Sequence, residues 1–128
     1  MKTFEFINNI NCCFAVEHYF NYPKAIAITV IDSETDNELA TLTVLDKDSD
    51  YEVGSATIAY DSIFGDSIFG YKSAREILIE LGIIEKVWKT YSFDDGTGEE
   101  ISADVCTIDL DKLKEYSKVW NYLILEEK

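Results

Sequence analysis

Histidine, proline and positive charge are what this 128-residue chain has least of: one His, one Pro, three Cys, and 11 Lys and Arg against 25 Asp and Glu. His18 alone would have to serve any Ser-His-Asp or Cys-His dyad. It follows Cys12 and Cys13 along a strand and its exit, a spacing at which these side chains do not converge. Its setting, "EHYF", predicts a partly buried structural histidine. With no C-x-x-C and no H-x-x-x-H, the common zinc patterns are excluded. An odd cysteine count leaves one thiol unpaired in any disulfide scheme, and adjacent Cys12 and Cys13 point to opposite faces if extended, so the expectation is a reducing, cytoplasmic setting. No window approaches the roughly 20 apolar residues of a membrane span. "MKTFEFINNI" lacks the apolar core of a secretory leader. The "GTG" at 96–98 is bounded by acids and has no following Lys, so it would repel a phosphate rather than cradle it. Neither an enzyme nor a bound cofactor is expected.

The chain does have negative charge, a net of -14. A field of that sign repels nucleic acid and anionic membranes and favours a basic protein surface. The plain alternative is solubility. The acids are also spaced. Asp32, Glu34, Asp36 and Glu38 alternate, as do Asp46, Asp48, Asp50 and Glu52. In an extended segment such residues share one face at about 6.6 Å. Nucleic acid carries one charge per roughly 3.4 Å of each strand. A third group, Asp94, Asp95, Glu99 and Glu100, crowds a turn. These twelve carboxylates are the candidate partner-binding residues, although Asp also suits turns for its own reasons. "DKDSDYEVGSAT" opens like a calcium loop with Asp46, Asp48 and Asp50. It then fails, with Tyr51 where Gly is needed and Thr57 where a bidentate Glu is needed.

Hydrophobic spacing predicts one α+β domain over residues 1–128, an antiparallel sheet of five to seven strands with two helices packed against it. Phe4 and Phe6 begin a strand, and Ile10, Cys12, Phe14 and Val16 alternate along the next. Pro23 in "NYPK" punctuates. "AIAITVI" (25–31) and "ELATLTVL" (38–45) form the clearest hairpin, and the two acid rows that flank it are expected near one end of the sheet. "SATIAY" (55–60) reads as a short strand. Ser73 and Glu76 make a capping-box pattern, with Gly82 placed to end that helix. "EKVWKTYSF" and "EISADVCTIDL" make a hairpin around "DDGTG". A closing helix begins near Leu110, with Leu113, Tyr116, Val119, Trp120 and Leu123 at 3.6 spacing. "DSIFGDSIFG" (61–70) repeats five residues, a period that fits neither helix nor strand, so two successive turns are expected.

The succession "AIAITVIDSETDNELATLTV", a capped helix ending "LIELGIIEK", then an aromatic strand resembles small acidic protein families of bacterial mobile elements over roughly residues 3 to 110. The resemblance implies an antirestriction or anti-CRISPR setting and no residue-level site. The function expected is an acidic inhibitor that mimics nucleic acid and occupies the basic groove of a host-defence nuclease. It would bind no nucleic acid and no membrane itself. A non-catalytic structural or adaptor domain, in one form a homodimer pairing through edge strands, is the alternative.

Overall fold

The computed structural model describes residues 1–7, 10–45, 51–59, 74–94 and 100–122. Of these 96 residues, 60 are in strands and 13 in helices. The strands are β1 (Phe4–Ile7), β2 (Ile10–Tyr19), β3 (Tyr22–Asp32), β4 (Glu38–Thr41), β5 (Thr43–Val44), β6 (Ser55–Ala59), β7 (Ile84–Asp94), β8 (Glu100–Ile108) and β9 (Ser117–Trp120). Two short helices, α1 (Ala74–Glu80) and α2 (Leu110–Glu115), complete the described chain. The expected antiparallel α+β architecture is thus corrected. The sheet has nine strands in the order β1-β2-β3-β6-β8-β7, with β4, β5 and β9 joined alongside. It is mixed, because β3 runs parallel to β6 and β2 parallel to β9. No described helix is long and apolar enough to cross a membrane.

The core follows the alternation of β2 and β3. Phe14 pairs with Val30 and Val16 with Ile28, and all four are fully buried in one cluster with Cys12 and Ile26. Each such side chain is worth roughly 1.5–3 kcal/mol of burial. The break between β2 and β3 lies at Phe20–Asn21, where Asn21 adopts φ 69°. Pro23 is the second residue of β3 rather than its boundary. The predicted strand 38–45 divides at Leu42. Its first half pairs with β3 and its second with β6. The Thr43 hydroxyl accepts the Ile28 N–H at 3.1 Å, which lets the chain leave β3 without orphaning that donor.

Gly82 ends α1 as expected, at φ +75°. Ile83 N–H donates to Leu78 C=O and Gly82 N–H to Ile79 C=O, the bond pair of a left-handed helix cap. Ser73 lies outside the described residues. The closing helix is corrected more sharply. Asp109 caps its start by accepting from Lys112 N–H, but the helix stops at Glu115. Ser117 Oγ and Tyr116 N–H both donate to the Leu113 carbonyl, the acceptor a further turn would need. The chain then extends, with Phe14 N–H donating to Tyr116 C=O and Asn121 N–H to Val16 C=O. Val119 and Trp120 suit a strand better than a helix, and Val119, which the helical stripe would bury, is 36% exposed.

Candidate functional site

The first acid row is a folded turn, not an extended ladder. Asp32 Oδ1 accepts the Glu34 N–H at 2.8 Å and the Thr35 N–H at 3.4 Å. Asp36 N–H donates back to the Asp32 carbonyl at 2.8 Å, and Asp36 takes φ 66°, a left-handed value that short polar residues tolerate. Asp32 N–H donates to Asn37 C=O, and the Thr35 hydroxyl accepts the Asn37 N–H. The four carboxylates therefore have three different situations. Asp32 holds the turn. Asp36 pairs with Lys118, Oδ1 to Nζ 2.6 Å. Glu34 and Glu38 are exposed.

Of the second row only Glu52 is described, and it lies at the end of the sheet opposite the 32–38 turn. A hairpin's turn and its free ends lie at opposite ends, and here the turn is 32–38. β5 continues away from it, antiparallel to β6. Exposed Glu52 precedes β6, which starts beside Ala25 at the opposite end of β3. Asp46, Asp48 and Asp50, with the calcium-like start, lie outside the described residues, as does the DSIFG repeat. The third group fares differently. β8 runs antiparallel to β6, so the mouth of the β7–β8 hairpin points the same way as the β3–β4 turn. At that mouth the backbone register pairs Asp94 with Glu100. Asp95 and Glu99 fall outside the described residues.

Cation placement was not legible beforehand. Lys118 comes from β9, 82 residues beyond Asp36, and also donates to Ser33 C=O at 3.1 Å. The hydrogen bond to Asp36 raises its pKa above the usual lysine value. Lys2 pairs with Glu115 at 2.9 Å, which raises the lysine and lowers the carboxyl. Lys114 stands over the Trp120 ring at 5.1 Å, beside an open cleft of about 390 Å³ that Glu85, Asp109 and Asp111 also line.

His18 is exposed, not partly buried, and its Nδ1 lies 3.2 Å from the Tyr19 carbonyl. Cys12, Cys13 and Cys106 are free thiols and buried. Burial pushes the Cys13 thiol up. Among the described residues, no three His, Cys, Asp or Glu side chains gather as a metal site would require. No protein-family model, curated protein or solved structure matches the chain.

Proposed function

We propose that this protein is a non-catalytic acidic inhibitor that docks on the basic nucleic-acid groove of a host-defence nuclease, in the manner of an antirestriction or anti-CRISPR protein. One observation carries this most directly: the β3–β4 turn and the β7–β8 mouth point to the same end of the sheet, bringing Asp32, Glu34, Asp36, Glu38, Asp94 and Glu100 to that end. The turn is held by its own hydrogen bonds, so little ordering entropy is lost on docking. Docking would use this end alone, with Glu52 facing away.

The test is capture from a bacterial lysate on the immobilised protein, at low and high salt, with duplex DNA as competitor. A retained nucleic-acid-binding protein released by both salt and DNA is expected. Glu34→Gln with Glu38→Gln should weaken retention strongly, and Glu52→Gln should not. Retention indifferent to DNA and to the Glu34/Glu38 change would sink the proposal and leave the acids as a solvated surface.

A further inference from the structure

The acidic end of the sheet carries a cation of its own chain. Lys118 Nζ donates to Ser33 C=O at 3.1 Å and to Asp36 Oδ1 at 2.6 Å. Both acceptors belong to the β3–β4 turn, and Asp32 adds its field to theirs. An ammonium is a compact charge with three donors. A carbonyl and a carboxylate set around one nitrogen suit it better than they suit the planar fork of an arginine. In this one occupied site the turn displays the chemistry by which it would read a basic partner.

The site does not depend on its occupant. Asp32 Oδ1 takes the Glu34 and Thr35 N–H groups, and Asp36 N–H donates to Asp32 C=O. Ser33 is tied to the start of β2, its N–H and its hydroxyl both donating to Asn11 C=O, at 2.9 and 2.8 Å. Lys118 takes part in none of these bonds. The ion pair is also open to water, with 38% of the lysine side chain and 60% of the aspartate side chain exposed. An exposed pair of this kind is worth little, so its exchange costs little. A preorganised acceptor pair under a weakly held lysine is arranged for the substitution of one ammonium by another.

We propose that Lys118 is an autoinhibitory occupant of the docking end. It fills the acceptor pair, Ser33 C=O and Asp36 Oδ1, that a lysine of the partner takes on docking, and that lysine displaces it. The proposal rests on the reading of this end as the docking surface. It adds that the contact there is a lysine ammonium and that the free protein masks its own site.

A double-mutant cycle on the purified protein tests it, with wild type, Asp36→Asn, Lys118→Met and the double variant. Asn tolerates the left-handed backbone of Asp36, and Met keeps the lysine stem, so all four should fold, as circular dichroism would confirm. Lys118→Ala repeats the cycle with the stem removed. The probe is the peptide Lys-Gly-Lys-Gly-Lys at low salt. Binding is read from the backbone amide NMR shifts of Glu34, Thr35 and Asp36, so contacts elsewhere on the acidic surface do not enter. With Lys118 present, Asp36→Asn removes one pair from the free protein and one from the complex, and affinity should hardly change. With Lys118→Met only the complex loses a pair, and Asp36→Asn should weaken binding about two- to fivefold, the ratio that one exposed ion pair gives. Lys118→Met alone should bind the peptide tighter than wild type by a similar factor. Equal weakening by Asp36→Asn in both backgrounds, or no tightening on Lys118→Met, would overturn the proposal. The cycle uses no nuclease. If it holds and the lysate yields no nucleic-acid-binding protein, the inhibitor reading alone fails. If lysate retention is as expected and the cycle is additive, the self-occupied site alone fails.

Discussion

Lys118 Nζ and Asp36 Oδ1, 2.6 Å apart, tie the last described strand to the turn between β3 and β4 across the width of β2. Cys13 of β2 is fully buried between these two elements, on the face opposite the main core. Lys118 and Asp36 both act on its thiol, the first opposing and the second adding to the upward push of burial. A surface ion pair of this kind does little for global stability. Its consequence is positional: β9 and the acidic turn are held to one another over the thiol.

Replacing Lys118 with Ala should leave the protein folded while uncovering Cys13, so that its alkylation speeds up relative to Cys12 and Cys106 of the main core even though the cation that lowers the Cys13 thiol is lost. Peptide mapping after timed iodoacetamide treatment would read this. The pH dependence has a definite sign. The hydrogen bond to Asp36 holds the folded lysine above the ordinary lysine value of 10.5, so its contribution is full below that value and is lost as pH rises through the folded pKa. Wild type should lose its small advantage over Lys118→Met only in that alkaline range.

The other ion pair works at the acid end. Glu115 is lowered from 4.5 by the Lys2 hydrogen bond. Its contribution is present above 4.5 and fades as pH falls through the folded value. Lys2→Met and wild type should converge in stability below that pH, as urea midpoints at stepped acid pH would show.

Tyr122 anchors the end of the described chain. Its hydroxyl donates to Lys24 C=O and accepts the Gly54 N–H, so one buried phenol joins the starts of β3 and β6. Tyr122→Phe keeps the packing and orphans a buried donor. It should cost about 1–3 kcal/mol, read as a lower urea midpoint with an unchanged m-value. An unchanged midpoint would mean that water replaces the phenol.

Gly82→Ala isolates backbone strain. A Cβ there would meet only the flexible end of Lys112, at 3.7 Å, so space is available. The cost is the φ of +75°, about 1–2 kcal/mol for an L-residue. Thermal unfolding should show that loss, and a neutral result would mean the helix end can rewind.

Most strand positions were legible, β2 most openly through its alternation, but the extent of the sheet and its parallel pairs were not. Nor were two local features. Leu113, Tyr116 and Trp120 do face the core, so their 3.6 spacing reported burial correctly, but the helix ends where Ser117 takes the Leu113 carbonyl and β2 takes Tyr116. That competition is between a local bond and one 102 residues away, and no local pattern contains it. The acid row 32–38 misled in the same way. Alternation in sequence implies one face only if the backbone is extended, and Asp32 folds its own backbone into a turn instead. Lys118 as the partner of Asp36 had no sequence signal at all.

The turn also separates structural from docking acids within one row. Asp32 works through an oxygen acceptor, not through charge, because Oδ1 takes the N–H groups of Glu34 and Thr35. Asp32→Asn keeps an acceptor in place and should leave stability nearly unchanged. Asp32→Ala removes it and should cost about 0.5–2 kcal/mol, the scale of losing a side-chain cap on exposed backbone donors. Glu34→Gln and Glu38→Gln should be neutral or slightly stabilising, since each relieves self-repulsion in a chain of net charge -14. Urea denaturation of the four variants gives the structural ranking, and retention of the captured partner gives the second. If the turn is a rigid acidic docking element, Asp32→Ala should weaken retention by loosening the loop at nearly full charge. Asp32→Asn should cost only the share of one charge. Glu34→Gln and Glu38→Gln should weaken retention with no loss of stability. Equal retention by Asp32→Ala and Asp32→Asn would show that turn geometry has no part in docking, and the partner would then be reading net charge alone.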